Sequence, residues 1–256
     1  MFFERVTPLF AGVFTAVWFA AGFWGVGHAD ASVVIGATRV IYAAPAREAT
    51  IKLTNEGSAP ALIQAWIDVG DMQTAPAAIS APFLVTPPIA RIDPGKAQTL
   101  RLFYIGDPLP TNRESVFYFN VLEIPPKPDS AQAPQNLMQL AFRSRIKLFF
   151  RPEGLPGSAA EAPAQIHWRL LRSASGELTL EANNPTAYHV SFTTLRVTHG
   201  ADTIGGAADD GGMVAPGETH RFTLRGKVPA TGPLTVSYHA LNDYGGEVRG
   251  DSVVSP

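Results

Sequence analysis

The sequence predicts an all-β protein made of two sandwich domains with a cleft between them. Short runs of alternating apolar and polar residues recur along the chain and are separated by Gly, Pro, Asn and Asp, which is typical of strands joined by turns. No amphipathic helix of three turns is found after the first thirty residues. The length of 256 residues suits two domains of about 100 residues each better than one.

The first 31 residues have the pattern of an export signal. A short start carrying Arg5 precedes an apolar run from Leu9 to Val26, and Ala29-Asp30-Ala31 is a small-x-small cleavage motif. We therefore predict a signal peptide, residues 1–31, that is removed to release an exported protein. The apolar run is just long enough to span a bilayer, so a retained anchor is the alternative.

The first domain is predicted to cover residues 32–152. Its first strands are predicted in SVVIGATRVIYAA, at Thr50–Leu53 and at Ala61–Ile67. FLVTPPIARIDPGKAQTLRLFYIG then gives an apolar strand, a Pro-Pro break, an Asp93-Pro94-Gly95 turn and a further strand. ESVFYFNVLEIPP is rich in aromatic and branched residues, as strands are. A proline-rich stretch at 125–136 predicts an exposed loop before the last strand of the domain.

The second domain is predicted to cover residues 162–256, after a linker at 153–161 that is rich in Pro, Gly and Ala. Its strands are predicted in QIHWRLLRSA, ELTLEANNPTAYHVSFTTLRV, ETHRFTLRG and PLTVSYHALNDYGG, with a Gly- and Asp-rich loop at 205–212. Two sandwiches on a short linker seldom pack flush, so we expect a cleft between them.

The composition argues against several classes of function. A net charge of −2 provides no basic field for nucleic acid, and the absence of cysteine rules out disulfides and thiolate sites. The five histidines after the leader form no metal-binding spacing, and Asp209-Asp210 lacks the ligand pattern of a calcium loop. No phosphate loop, nucleophile elbow or carboxylate pair is found. We expect no enzyme activity, no metal, no cofactor and no small-molecule substrate.

The stretch MQLAFRSRIKLFFRP, residues 138–152, predicts an unusually long strand. One face is apolar and the other carries Arg143, Arg145 and Lys147. From 138 to 150 such a strand spans roughly 40 Å, whereas most strands have five or six residues. Either the whole apolar face is core, or only Ile146, Leu148 and Phe150 are. In the second case the first part is an exposed edge, which invites pairing with a partner.

Seven motifs in register resemble the PapD-like periplasmic pilus chaperones over nearly the whole predicted mature chain. They are ATRVIY, NEGSAPALIQAWID, TPPIARIDPGKAQTLRL, RESVFYFNVLEIPP with RSRIKLFFRP, NNPTAYHVSF, MVAPGETHRF and LNDYGG. The resemblance implies two immunoglobulin-like domains around a cleft, a periplasmic location, pilus or fimbrial subunits as partners, and an outer-membrane usher as a further partner.

The resemblance also implies how subunits are held. In this family the chaperone lends a strand to an incomplete subunit sandwich, which is donor-strand complementation. The donor residues fall on Met138, Leu140 and Phe142. The subunit's C-terminal carboxylate would be bound by Arg39 and Lys147.

The family further implies an ion-pair network between the domains, which would use Glu114, Arg151 and Asp243. We interpret Arg143 and Arg145 as solvated or peripheral. The loop at 125–136 lacks the greatly extended form flanked by disulfides, which favours the short-loop chaperones.

Two other functions remain open from the sequence. One is a structural or adhesive surface protein built from two immunoglobulin-like domains, which needs no paired Arg and Lys. The other is a carbohydrate-binding or hydrolytic β-sandwich, for which no carboxylate or aromatic platform is visible. An unpaired edge strand in the free chaperone also invites a self-capping dimer.

Overall fold

The computed structural model describes residues 32–73, 81–106, 108–126, 139–173, 177–199, 202–207, 211–225 and 233–255. The predicted signal peptide therefore lies outside the described residues. The described part is almost entirely β, which confirms the predicted fold class. No helix among the described residues is long and apolar enough to cross a membrane.

Nine strands make up the first half of the described chain. They are β1 (Val33–Ile35), β2 (Arg39–Ala43), β3 (Ala49–Asn55), β4 (Ala61–Asp68), β5 (Phe83–Thr86), β6 (Ile89–Ile92), β7 (Ala97–Tyr104), β8 (Ser115–Ile124) and β9 (Phe142–Arg151). Four strands form one sheet in the order β1-β3-β7-β5, and five form the other in the order β2-β9-β8-β4-β6. The strands turn alternate side chains towards the core between the two sheets. In β4, Ala61, Ile63, Ala65 and Ile67 are buried while Leu62 is exposed.

Eight strands and one short 3-10 helix, Ala162–Gln165, follow. The strands are β10 (His167–Arg172), β11 (Leu178–Asn183), β12 (Val190–His199), β13 (Asp202–Ala207), β14 (Gly212–Val214), β15 (Thr219–Arg225), β16 (Thr235–Leu241) and β17 (Glu247–Ser255). They form one sheet that curls on itself, since β13 pairs with both β12 and β15. The core of this half contains Trp168, Phe192, Phe222 and Tyr238.

The predicted turns of the first half are present. The Asp93–Gly95 turn joins β6 to β7, with the amide of Lys96 donating to the carbonyl of Asp93 over 3.0 Å and Gly95 at φ +68°. Pro87 and Pro88 separate β5 from β6. The loop predicted at 205–212 is wrong in part, because residues 205–207 continue β13 and Gly212 begins β14. Asp209 and Asp210 lie outside the described residues.

The long strand predicted from 138 begins later than the sequence pattern indicates. β9 starts at Phe142, whose partner is Glu123 of β8. β8 ends at Ile124 and is followed by Pro125 and Pro126, which have no amide hydrogen to donate. Among the described residues, no strand pairs with residues 139–141. Met138 lies outside the described residues.

Candidate functional site

Two cations lie side by side at the start of the shared β2–β9 ladder. The strands run parallel, and Arg39 of β2 is the register partner of Lys147 of β9. The adjacent residues Val40 and Leu148 point into the sandwich core, at 7% and 0% exposure. Arg39 and Lys147 therefore lie together on the face that turns away from that core.

Both cations contact the second half of the chain. The Arg39 Nη1 donates to the carbonyl oxygen of Leu241 in β16 over 3.3 Å. The Lys147 Nζ donates to the Ser191 Oγ in β12, also over 3.3 Å. The Arg39 Nε is buried and has no hydrogen-bond partner among the described residues. The pair thus lies where the two halves of the chain meet, with hydrogen-bonding capacity left unused.

The environment makes both charges unfavourable. Burial lowers the pKa of Lys147 below its usual range, and the positive charge of Arg39 lowers it further. Burial also lowers the pKa of Arg39, although Asp243 and Glu114 partly offset that effect. Neither cation forms an ion pair with a carboxylate of the described residues. An anion bound between them would relieve this repulsion and replace the lost hydration.

The part of β9 that precedes Lys147 has one unpaired edge. β8 pairs with Phe142–Phe150 on one side, whereas β2 pairs only with Lys147–Arg151 on the other. Among the described residues, no strand pairs with the second edge of residues 142–146. Leu140 is 49% exposed and Phe142 is partly buried. An apolar strand edge therefore leads directly up to the two cations.

Arg151, Glu114 and Asp243 are brought together in one network. The Arg151 Nε lies 2.6 Å from the Glu114 Oε1, and its Nη1 and Nη2 donate to the two Asp243 carboxylate oxygens over 2.7 and 2.8 Å. The guanidinium also lies over the Tyr188 ring, 5.4 Å from its centre. Arg151 therefore ties the end of β9 to the turn between β16 and β17.

Further contacts strengthen the same junction. The Glu114 Oε2 accepts from the backbone amide of His189 over 2.8 Å, and the Glu114 amide donates to the carbonyl of Ala187 over 2.9 Å. On the other side, Gly245 packs so closely on Thr38 that a Cβ would collide with the threonine hydroxyl, and φ at this glycine is +81°. The turn is thereby held against the residue that precedes Arg39.

The interpretation of Arg143 and Arg145 as solvated or peripheral is wrong for Arg145, whose paired side chain is only 18% exposed, whereas Arg143 is exposed but also paired. The Arg145 Nε and Nη2 donate to the two carboxylate oxygens of Asp68 over 3.0 and 2.5 Å, and the guanidinium lies over the Tyr118 ring. The Arg143 Nε donates to the Asn120 Oδ1 over 3.0 Å, and its guanidinium covers the Trp66 ring. Asp68 is buried at the end of β4, so its charge holds both arginines on the sheet.

The buried carboxylate of Asp68 should make the stability of the protein sensitive to acid. Burial alone would raise the pKa of Asp68, but hydrogen bonds from Arg145, Asn120 and the Gly70 amide hold it below its usual range. A lowered native pKa adds stability that is present at neutral pH and is lost as the carboxylate is protonated, below about pH 4. We expect Asp68→Asn to lower the free energy of unfolding at pH 7 by about 3 kcal/mol.

Urea unfolding at pH 7 and at several acidic pH values measures this effect. The same carboxylate-to-amide change at Glu48, which pairs with Arg101 at the surface, is the control and should cost less than about 1 kcal/mol. The difference between wild type and Asp68→Asn should shrink as the pH falls. Equal stability of the two proteins at pH 7 would show that Asp68 does not stabilise this sheet.

Several residues at the site were not predicted from the sequence. Ser191 and Leu241 contact the two cations, Asp68 pairs with the arginines, and His189 contacts Glu114. All are more than forty positions from their partners in the chain, so no local pattern links them. Among the described residues, no three His, Asp or Glu side chains converge in a way that could hold a metal ion.

Comparison with known proteins identifies both halves. Residues 32–156 match the family described as pili and flagellar-assembly chaperone, PapD N-terminal domain. Residues 161–252 match the family described as pili assembly chaperone PapD, C-terminal domain. Together the two matches cover nearly all of the described chain.

Three relatives illustrate the similarity. The chaperone protein FimB/FhaD of Bordetella pertussis is 45% identical over 226 residues, covering 85% of this chain and 86% of its own. The probable fimbrial chaperone YadV of Escherichia coli K12 is 42% identical over 226 residues, covering 87% and 89%. A crystal structure of YadV, aligned at 37% identity, covers 88% of this chain and all of its own, with a TM-score of 0.74.

A solved complex of the Salmonella enterica SafA pilin with the SafB chaperone is also similar. It matches 89% of this chain and 99% of the solved chain, at 25% identity and a TM-score of 0.70. Two family matches in sequence order, relatives above 40% identity and a solved structure that covers 88% of this chain all lead to one assignment. The chain belongs to the PapD family of pili assembly chaperones.

Proposed function

We propose that this pilus-subunit chaperone acts in the periplasm by donor-strand complementation. It binds the C-terminal carboxylate of a subunit between Arg39 and Lys147 and pairs the free edge of β9 with an incomplete subunit sandwich. The observation that carries the proposal is the direct register pairing of these two partly buried cations beside an unpaired strand edge.

A carboxylate is the anion that best satisfies the two cations. The Arg39 guanidinium makes one described hydrogen bond, from Nη1 to the Leu241 carbonyl, and the Lys147 ammonium makes one, to the Ser191 hydroxyl. Each charge-assisted hydrogen bond to such a carboxylate is worth about 1.5–3 kcal/mol. A chain terminus also occurs only once in a subunit, so binding it fixes the register of the whole strand.

The register of the donor strand matters because only one of its two faces is apolar. In β9, Phe142 and Ile146 share the apolar face and Arg143 lies on the opposite face. An extended chain before the strand would add Leu140 to the apolar face and Ala141 to the opposite one. A shift of one residue would present the wrong face to the subunit. With the terminus fixed, each apolar side chain of β9 meets the same pocket in every complex. Met138 would extend this face, although it lies outside the described residues.

A charge introduced on the apolar face before Lys147 tests whether that face pairs with the subunit. We expect Phe142→Asp to weaken subunit capture at least about tenfold, because burying one large apolar side chain is worth about 1.5–3 kcal/mol. Leu140→Asp should act in the same direction. The fold should remain intact, because Leu140 is half exposed and Phe142 lies at the end of the sheet. Co-purification with a co-expressed pilin, followed by a binding titration, measures the effect.

Ala141→Asp is the matched control, because it adds the same charge at a neighbouring, exposed position on the opposite face. It should leave capture close to that of wild type. If Phe142→Asp captures the pilin as well as Ala141→Asp does, the apolar face of β9 is not the donor surface.

Other partners follow from the same edge. In the absence of a subunit, a second copy of this chain could cover the free edge of β9, which would make a self-capping dimer. A loaded chaperone would deliver its subunit to an outer-membrane usher. The leader at 1–31 would provide export to the periplasm. A structural or adhesive surface protein is not favoured, because both halves match chaperone families.

A further inference from the structure

A buried carboxylate binds the first residues that follow the predicted leader. Glu123, near the end of β8, is only 7% exposed. Its Oε1 accepts from the Ser32 amide over 3.2 Å and from the Ser32 hydroxyl, and its Oε2 accepts from the Val33 amide over 3.0 Å. Because the leader is predicted to end at residue 31, Glu123 holds the residues at which the mature chain is predicted to begin.

Ser32 is fixed on its other sides as well. Its carbonyl oxygen accepts from the Glu56 amide over 2.8 Å. A Cβ at Gly57 would lie 2.5 Å from the Ser32 Cβ, so the turn between β3 and β4 packs closely on the serine. Val33, which begins β1, is only 4% exposed. The Ser32 nitrogen therefore has a defined position beside Glu123, whereas most chain termini are loosely held.

The carboxylate of Glu123 has neutral partners only. Among the described residues, these partners are two amides and one hydroxyl. A buried carboxylate that receives only neutral donors gives up its hydration without the compensation of an opposite charge. A cation in place of one of these donors would form charge-assisted hydrogen bonds, which are about twice as strong as neutral ones.

Removal of the leader creates a cation at this position. Hydrolysis of the Ala31–Ser32 peptide bond by an export signal peptidase consumes one water and leaves a carboxylate on Ala31 and an amine on Ser32. The amine takes up a proton at neutral pH, because the ordinary pKa of a chain-terminal amine is about 8. The nitrogen that lies 3.2 Å from the Glu123 Oε1 thus changes from a neutral amide into a charged ammonium with further hydrogens to donate.

We infer that Glu123 is the binding site for the N-terminal ammonium of the processed chain, and that leader removal thereby stabilises the first sandwich. The contact joins the two sheets, because β1 belongs to one and β8 to the other. Glu123 is also the register partner of Phe142, so the processed terminus is bound at the end of the sheet where β9 begins. The inference rests on the predicted cleavage after Ala31 and is independent of the carboxylate grip.

Urea unfolding of two N-terminal forms of the whole mature chaperone tests the inference. One form begins with Ser32, and the other retains Ala31 and begins there. The second form keeps an N–H at Ser32 but moves the ammonium to the preceding residue. We expect its unfolding equilibrium constant to be about tenfold higher than that of the form that begins with Ser32, which corresponds to about 1.4 kcal/mol.

Glu123→Gln separates the ion pair from a steric effect of the additional alanine. It keeps the size of the side chain and an acceptor oxygen but removes the charge, so retaining Ala31 should change the unfolding equilibrium constant of this variant by less than about twofold. Glu56→Gln, which removes an exposed charge from the adjacent turn, is the matched control and should show the same difference between the two forms as wild type.

Two results would overturn the ion pair. One is an equal effect of the alanine in wild type and in Glu123→Gln, and the other is no effect in wild type. N-terminal sequencing of the exported protein tests the underlying cleavage separately. It should give Ser32 as the first residue, and any other start would overturn the inference while leaving the subunit grip untouched.

Discussion

Lys147→Met is expected to weaken subunit capture strongly without lowering the stability of the chaperone. Methionine keeps an apolar stem of similar length and removes the charge that the subunit carboxylate would contact. Loss of one charge-assisted bond should weaken binding about ten- to a hundredfold. Arg39→Met should have the same effect, and the double variant should show no measurable capture. Co-purification with a pilin and a binding titration measure these losses.

The stability of these variants tests whether the buried charge of Lys147 destabilises the free protein. Burial and the charge of Arg39 lower the pKa of Lys147, so the charged lysine destabilises the free protein below its ordinary pKa. Removing it should leave the urea midpoint unchanged or raise it. Lys52→Met, at an exposed position of β3, is the control for loss of a cation and should affect neither property. Full capture by both Lys147→Met and Arg39→Met would contradict the grip.

Arg151→Met is expected to destabilise the protein and weaken capture together. It leaves the carboxylate of Glu114, whose side chain is only 2% exposed, without its arginine. An unpaired buried charge of this kind costs about 3–5 kcal/mol, and because the His189 amide still donates to Glu114 we expect a loss of about 3 kcal/mol. Capture should fall because Arg151 also holds the β16–β17 turn, whose neighbour Leu241 contacts Arg39.

A double variant separates these two effects. Glu114→Gln with Arg151→Met leaves no unpaired carboxylate at position 114, so most of the lost stability should return, whereas capture should not recover because the bond to Asp243 is still absent. Arg221→Met, which breaks the exposed pair with Glu181, is the control and should cost less than about 1 kcal/mol. Urea unfolding and pilin titration are the measurements. Wild-type stability and capture in Arg151→Met would show that the network has no role.

Local patterns predicted much of the fold because each strand alternates between faces. Ile63 and Leu148 are fully buried, as their positions in the alternation indicate, and the turn at Asp93–Gly95 follows from its own residues. The start of β9 could not be predicted in this way. It depends on where β8 stops, because the apolar and polar alternation of the sequence continues before Phe142, whereas the described pairing with β8 begins at Phe142.

At the site, too, some residues were predictable from the sequence and others were not. Motif resemblance pointed to Arg39, Lys147, Glu114, Arg151 and Asp243, and the structure places the first two side by side and the other three in one network. Arg143 and Arg145 looked solvated because nothing near them in sequence neutralises them. Their carboxylate, Asp68, comes from a strand more than seventy residues earlier. A cavity of about 370 Å³ beside Lys147 is lined by residues of four separate strands, β9, β12, β14 and β16, so only the folded chain reveals it.

A crystal structure of this chaperone with a captured pilin would show the strand pairing and the carboxylate contacts together. We expect the last strand of the pilin to lie beside Phe142–Ile146, with its terminal carboxylate within hydrogen-bonding distance of both the Arg39 guanidinium and the Lys147 amine. A pilin bound through another surface, or a carboxylate that contacts neither cation, would contradict this expectation.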